Sequence, residues 1–553
     1  MIRTGANIVI ESLCRNHVET VFGYPGGAVL PIYDELYKNQ HRIDHILCAH
    51  EQNAVHAADG YARISRRPGV VIATSGPGAS NLVTGIATAY LDSVPLVIIT
   101  GNVNTALLGK DSFQELDITG VTRPIVKHNF AVTSVRELAG VIDAAFRIAL
   151  DGRKGPVLID IPKSIQCDSC SEKNYCSPLY FTHPLRQPDL TAAVSALKDA
   201  ARPLIYAGGG VVAACAFHEL ESLAERLDAP VVFSMMGLSA MSCDHPKNAG
   251  MCGMHGTAAS AELLDKCDLL LALGVRFSDR AAGDPEKFRK NKRIIHIDID
   301  HSELNKNVTA DIGIRGELKE TLQKLLSALP RKRHPEWNAF LEKAQSSNSP
   351  CTESSLVPRT LFATVAEYCD KDCAVATDVG QHQMWTMHHY PFHRPGSLLT
   401  SGGLGTMGYG LGAAIGASIA QNGKCVVLFT GDGSFGMSLQ ELATAVTYKL
   451  PLVIVICNNG VLGMVRQWQT MFFNQHYSCS TLNRQTDFPA LARAFGAEGK
   501  KITTLEELRA ALSDLPADRP LVLDCHLDQD EFALPMIPPG GSVEDMITEK
   551  KEF

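Results

Sequence analysis

Apolar residues in this chain gather into short unbroken runs separated by stretches of helical periodicity, and strict alternation of apolar and polar positions is rare. Runs of that kind, rich in Val, Ile and Leu, read as strands buried on both faces, the habit of parallel sheets flanked by helices. They fall into three blocks. The first, 1–165, predicts strands over 20–23, 46–48, 70–73, 96–99 and 157–160; the second, 191–330, over 203–210, 269–274 and 294–298; the third, 356–530, over 374–377, 425–430 and 452–457. Polar segments 166–190 and 331–355 read as linkers, and 531–553 as a tail able to fold over a site. The fold class is therefore α/β, with three doubly wound parallel-sheet domains.

Composition narrows the picture. A chain of 553 residues with 45% hydrophobic and 20% charged residues is an ordinary globular protein, and a net charge of −8 gives no reason to expect nucleic-acid or membrane binding. The apolar runs are too short to span a bilayer, and the start enters an amphipathic helix carrying Glu11, with no signal-peptide core, so a cytoplasmic location is expected. Most of the 16 cysteines lie in apolar contexts and read as small buried hydrophobes without disulfides. Cys167, Cys170 and Cys176 lack a second paired knuckle and read as linker residues, not zinc ligands.

The chemistry concentrates in two polar clusters that end adjacent strands: Gly431-Asp432-Gly433-Ser434 after 425–430, and Asn458-Asn459 after 452–457, with 441–448 as the crossover helix. Open α/β sheets bind ligands at carboxyl ends of strands. Gly431 and Gly433 let the backbone approach phosphate oxygens, the next helix start offers free N–H groups, and Asp432 and Asn459 supply oxygen ligands for a hard cation. Taken singly, each cluster is also ordinary turn chemistry. Together they suit a diphosphate held through Mg2+. In the first block, Glu51 stands where a strand enters a small-residue helix, a place where a carboxylate can be held dry with a proton to share, although the local sequence alone favours a helix-start carboxylate placed for the dipole.

Gly23-Tyr-Pro-Gly-Gly27, His50-Glu51, Thr74-Ser-Gly-Pro-Gly-Ala-Ser-Asn81, Asp378-Val-Gly-Gln-His-Gln-Met-Trp385, Gly403-Leu-Gly-Thr-Met-Gly408, the Gly-Asp-Gly and Asn-Asn runs, Gly463-Met-Val-Arg-Gln-Trp-Gln469 and Pro535-Met-Ile-Pro-Pro-Gly540 resemble thiamine diphosphate enzymes of the acetolactate (acetohydroxyacid) synthase family, in order along essentially the whole chain. The resemblance implies pyrimidine-binding, central and diphosphate-binding domains. It implies that Glu51 hydrogen-bonds the aminopyrimidine ring of thiamine diphosphate, that Met407 bends the cofactor, that Gln381, His382, Gly405, Gly431, Gly433 and Ser434 contact it, and that Asp432, Asn459 and the carbonyl of Val461 hold Mg2+. Arg280 and Trp468 would receive a second 2-keto acid, with Phe113, Gln114, Lys163, Met254 and Met464 around the pocket.

The biosynthetic branch also binds FAD; the implied positions are Arg153, Gly208, Gly209, Gly210, His255, Arg276 and Asp298. Here Ser278, Ala281-Ala282 and Met235-Met236 depart from the usual pattern. The implied activity is decarboxylation of pyruvate and transfer of the two-carbon unit to pyruvate or 2-ketobutyrate, serving branched-chain amino acid biosynthesis. The implied assembly is a homodimer or homotetramer, with a possible small regulatory subunit. A catabolic acetolactate synthase, a pyruvate oxidase or decarboxylase, and a catalytically silent relative remain open at this point; retention of Glu51, Asp432 and Asn459 argues against the last.

Overall fold

The computed structural model describes residues 2–176, 187–346 and 355–550. Its framework is three six-stranded sheets, every ladder within them parallel. The first runs, in spatial order, Asp44–Leu47, Thr20–Tyr24, Gly69–Ala73, Leu96–Asn102, Pro156–Pro162 and His128–Ala131. The third runs Leu398–Leu399, Ala374–Thr377, Val426–Gly431, Leu452–Asn458, Leu521–His526 and Glu498–Ile502. Counted by chain position within each unit, both have the order 2-1-3-4-6-5. The middle sheet differs. It runs Asn248–Met251, Val231–Phe233, Pro203–Ala207, Leu269–Leu273, Arg293–Asp298 and Ile312–Arg315, an order of 3-2-1-4-5-6, which is the arrangement of dinucleotide-binding sheets.

The central strands are buried on both faces, as their unbroken apolar runs require: every residue of Val426–Gly431, Leu269–Leu273 and Leu96–Asn102 is buried. Among the described residues, seven strands of the three sheets have no counterpart in the sequence expectations, including Glu498–Ile502, whose Glu-Gly-Lys-Lys-Ile run is too polar to announce an edge strand. The crossover after Val426–Gly431 also starts earlier than 441. It is broken into helix Asp432–Ser438, a 3-10 turn at Leu439–Glu441 and helix Leu442–Thr447.

The two presumed linkers carry structure. Ser169–Ser171 pairs antiparallel with Ile2–Thr4 ahead of the first helix, Gly5–Arg15, so Cys170 is tied to the N-terminal strand. In the second, Pro335–Ser346 is a helix: Trp337 and Leu341 bury themselves on the middle sheet, and the Trp337 indole N–H donates to the carbonyl of Pro203 at 2.9 Å. In the sequence its polar and basic flanks mask this one apolar face. The remaining linker residues 177–186 and 347–354, and the last three residues of the tail, lie outside the described residues.

The first and third units dock through helices Glu51–Ser65 and Tyr409–Ala420, which approach until backbones touch. A β-carbon placed on Gly60 would lie 2.1 Å from the carbonyl oxygen of Ala413, and one on Gly416 would lie 1.8 Å from that of Ala57. Only glycine fits at either point. Across the same seam Tyr409 donates its hydroxyl to Asp59 at 2.6 Å, and Arg63 bridges Asp59 and Asp92. Asp92 in turn accepts the amides of Gly402 and Gly403, which lead towards Met407.

Candidate active site

In the third sheet the strand order reverses between Ala374–Thr377 and Val426–Gly431, and the loops after these two strands carry the diphosphate candidates. A crevice at such a switch point is where open α/β sheets take ligands. Asp378, to which the sequence alone assigns no role, is buried beneath it. Its carboxylate accepts the Thr430 hydroxyl at 2.7 Å and the Gly410 amide at 2.9 Å, anchoring both the strand and the start of helix Tyr409–Ala420. Gln381 follows, its amide donating to Gln467 at 2.9 Å and to the Glu531 carbonyl at 2.8 Å while its oxygen accepts from Asn459 at 3.2 Å. His382 is buried, and burial pushes its pKa down to about 3, so its ring is neutral. Among the described residues its Nε2 has no hydrogen-bond partner. A buried ring nitrogen without a partner beside a helix start is the kind of atom a phosphoryl oxygen or its hydration would satisfy. Ser434, two residues into helix Asp432–Ser438, donates to the Val379 carbonyl at 3.2 Å.

Asp432 opens that helix with Gly431 as its cap. Burial, first among the causes, pushes its carboxyl up to about 6, with Asp524 adding to the effect and the amides of Gly433 and Gly460 opposing it. Gly460 belongs to the Asn-Asn-Gly turn, so the two motifs meet. Asn459 accepts the amide of Val461 at 3.3 Å, and Val461 forms an isolated bridge with Thr481 that holds the turn in place. A buried carboxylate, an amide oxygen and a carbonyl make an all-oxygen donor set of the kind a hard divalent cation takes. The residues fit Mg2+.

Beside this cradle lies a cavity of about 1940 Å³. Met407 and Gly405 line it, and the Met407 methyl lies 3.7 Å from where a β-carbon on Gly433 would sit, so cavity and cradle adjoin. Further walls come from Met464, Trp468, Met254 and Arg280. The Arg280 guanidinium stacks 5.4 Å above the Trp468 ring and donates to the Met254 sulfur at 3.2 Å. The tail closes on the same point, since the amide of Ile537 donates to the Met254 carbonyl at 2.7 Å.

The middle unit lines the rest with Gly209, Gly210, His255, Arg276 and Asp298, joined by Arg153 of the first unit, while Gly208 sits just behind them. Burial pushes Asp298 up to about 6 and His255 down to about 4. Arg153 is held by Glu303 at 2.8 Å and Asp300 at 3.4 Å. The cavity is roughly twice the upper size usual for a drug-sized ligand, which leaves room for a dinucleotide beside a reacting centre. With the 3-2-1-4-5-6 strand order, these walls fit FAD.

The pyrimidine candidates stand apart. Glu51 is buried at the start of helix Glu51–Ser65 and accepts the side-chain amide of Asn81 at 2.9 Å. The backbone just before it is pinned from the third unit, because Glu441 accepts the amides of Ala49 and His50 at 3.0 and 2.9 Å. Asn81 and Glu441 were missed as positioning residues. The first stood inside a quoted motif, but a lone Glu after a Ser-Leu-Gln run gave Glu441 no signal. Neither Glu51 nor Phe113, Gln114 or Lys163 lines the cavity; Phe113 is 87% exposed, Gln114 packs against Gly76, and Lys163 begins a short helix on the first sheet.

Three family models match in succession: Thiamine pyrophosphate enzyme, N-terminal TPP binding domain over residues 3–121, central domain over 190–325 and C-terminal TPP binding domain over 378–525. The acetolactate synthase large subunit of Parasynechococcus marenigrum is 44% identical over 98% of this chain and 91% of its own length. The isozyme 2 and isozyme 3 large subunits of Escherichia coli are 42% and 41% identical over 98% and 99% of this chain, and 99% of their own lengths. The chain belongs to the acetolactate synthase large-subunit family. It is thus a member of the thiamine pyrophosphate enzymes, and its first and third sheets correspond to that family's two TPP binding domains. Among the described residues, no helix is long and apolar enough to cross a membrane.

Proposed function

We propose that this chain is the catalytic subunit of an acetolactate synthase. It decarboxylates pyruvate and joins the two-carbon unit to a second 2-keto acid, pyruvate or 2-ketobutyrate, for branched-chain amino acid biosynthesis. The observation that carries the acceptor step is the Arg280 guanidinium stacked on Trp468 at a cavity wall shared with Met407. A fixed cation gives the acceptor carboxylate a bidentate partner, and the indole face beside it gives an added methyl an apolar neighbour. Bound thiamine diphosphate supplies an electron sink for the decarboxylation. Asp432, Asn459 and the Val461 carbonyl would hold Mg2+ on its diphosphate, with Gln381, His382, Gly433 and Ser434 about it, and Met407 would brace it. Glu51, oriented by Asn81, would hydrogen-bond its pyrimidine ring from a buried position where a carboxylate exchanges a proton without competition from water. FAD would occupy the middle-unit side of the cavity, between Arg276, Asp298 and the Gly208–Gly210 turn.

Because Glu51 is absent from the cavity walls of its own chain, we propose that two copies complete each other's sites, with Glu51 of one facing the Asp432 cradle of its partner. A small regulatory subunit fits the large-subunit family. The direct test supplies purified protein, thiamine diphosphate and Mg2+ with pyruvate, with and without 2-ketobutyrate. Acetolactate, joined by acetohydroxybutyrate when both acids are present, is the expected result; acetaldehyde, acetate or acetyl phosphate instead would overturn the carboligase reading. Co-expressing Glu51→Gln with Asp432→Ala tests the shared site. Randomly mixed dimers should recover about a quarter of wild-type activity, since half of them carry one intact site, whereas sites built within one chain would recover nothing.

A further inference from the structure

Away from this site, three side chains of metal-ligand type converge where the middle unit meets the third. Cys243 and Asp244 lie in the loop between the Met235–Ala240 turn and strand Asn248–Met251; His393 lies in the loop that precedes strand Leu398–Leu399. The Cys243 Sγ is 3.4 Å from the His393 Nδ1 and 3.9 Å from an Asp244 oxygen, and the other Asp244 oxygen is 2.8 Å from the same Nδ1. All three donor atoms lie within 4.8 Å of one another. Tetrahedral zinc with bonds of about 2.0–2.3 Å separates N, O and S ligands by about 3.3–3.6 Å, so small rotations of these partly solvated side chains bring the set onto one ion.

The His393 Nδ1 thus faces both a sulfur and a carboxylate oxygen. Lys371 acts on Cys243 and Asp244 from a distance, with no ion pair to either among those described. The loops themselves are held in register by backbone hydrogen bonds, the Cys243 amide donating to the Phe392 carbonyl at 2.9 Å and the Gly396 amide to the Ser239 carbonyl at 2.7 Å. The ligand positions are therefore fixed by the fold and do not depend on the side chains finding one another.

We propose that Cys243, Asp244 and His393 form a binding site for zinc or a similar thiolate-accepting divalent ion, its fourth position open to water, that clamps the middle unit to the third. The mixed sulfur, nitrogen and oxygen set selects against Mg2+ and Ca2+, which take oxygen alone. It is thus chemically separate from the Asp432 site. The clamped segment continues through Leu398–Leu399 to Gly402, Gly403 and Met407, and Met235 and Met236 at its other side line the large cavity, so an ion here would stiffen one wall of that cavity.

The test uses the full-length protein after chelator treatment, titrated with Co2+ and then Zn2+. Wild type should develop a near-ultraviolet thiolate-to-cobalt band that Zn2+ removes, and Zn2+ should raise its Tm. Both responses should be lost in Cys243→Ser and in His393→Ala, and retained in Asp432→Ala. Cys243 is exposed and His393 half-buried, so the variants at these two positions should fold as wild type does. Absence of the band in wild type would overturn the proposal. An equal band in Cys243→Ser would do the same, by placing the metal on another thiol.

Discussion

The first and third sheets share one strand order yet present their switch points differently. In the third unit the loops turn inward: Asp378, Gln381, His382, Asp432 and Ser434 are all buried, and side-chain hydrogen bonds tie Asp378, Gln381 and Ser434 into the fold. In the first unit the corresponding side is rich in exposed apolar residues, Tyr24, Leu30, Leu107, Leu108 and Phe113 among them. Apolar side chains in such numbers at the carboxyl ends of one sheet suit the shared site proposed above, in which a second copy covers them. One topology has thus been used once as a finished cradle and once as an unfinished edge. On the proposed function, chemistry that needs fixed charges belongs to the first kind of surface, and chemistry that needs a dry lid to the second.

That contrast can be broken at several points. Glu51→Gln should have the largest effect, slowing turnover by ~10²–10⁴-fold while cofactor affinity and Tm hold, as measured by steady-state rates and cofactor titration. Equal turnover would remove the edge carboxylate from the chemistry. Asp432→Ala should leave the fold intact and weaken Mg2+-dependent cofactor binding by at least ~100-fold, measured by calorimetry across Mg2+ concentrations. An unchanged affinity would mean that the cradle is not the metal site.

Asp160 sharpens the comparison within the first unit. Burial pushes its carboxyl up to about 6 from 3.8, although Asn102 and Thr100 donate to it. A folded-state pKa raised above the unfolded one gives stability that is full below about 3.8 and lost as pH rises through about 6. Asp160→Asn should therefore flatten denaturant-measured stability across that window, a difference of at most about 3 kcal/mol. Gly416→Ala probes the joint between the two units and should cost ~1–3 kcal/mol by overpacking, read as a lowered Tm. Trp468→Leu should be mildest, reducing the preference for 2-ketobutyrate over pyruvate by ~10-fold in competition assays, with the first decarboxylation little changed.

Much of the cradle was legible in the sequence because its parts are local. Gly431 to Ser434 are contiguous, the Asn pair ends the next strand, and buried parallel strands announce themselves as unbroken apolar runs. The middle cavity was legible only through family resemblance, since Arg153, Asp298 and Arg280 come from three separate segments and each reads alone as ordinary loop chemistry. Glu441 and Asp378 were illegible as positioning groups for a related reason. Their importance lies in which amides they reach, Ala49 and His50 from one and Gly410 from the other, and those contacts span hundreds or tens of residues. The helix at Pro335–Ser346 was missed because its single buried face, Trp337 and Leu341, is too short to register as a period among charged neighbours.

The glycine contact between helices Glu51–Ser65 and Tyr409–Ala420 has a consequence for the chain's birth on the ribosome. The first sheet can close once Pro162 has emerged, but the helix that covers its glycine face is complete only roughly 250 residues later. At ~5–20 residues per second, that face waits for on the order of 10 to 50 seconds, uncovered and apolar, while the middle unit is made. Nascent chains arrested between residues 165 and 400 should therefore recruit chaperones that chains arrested beyond residue 420 release.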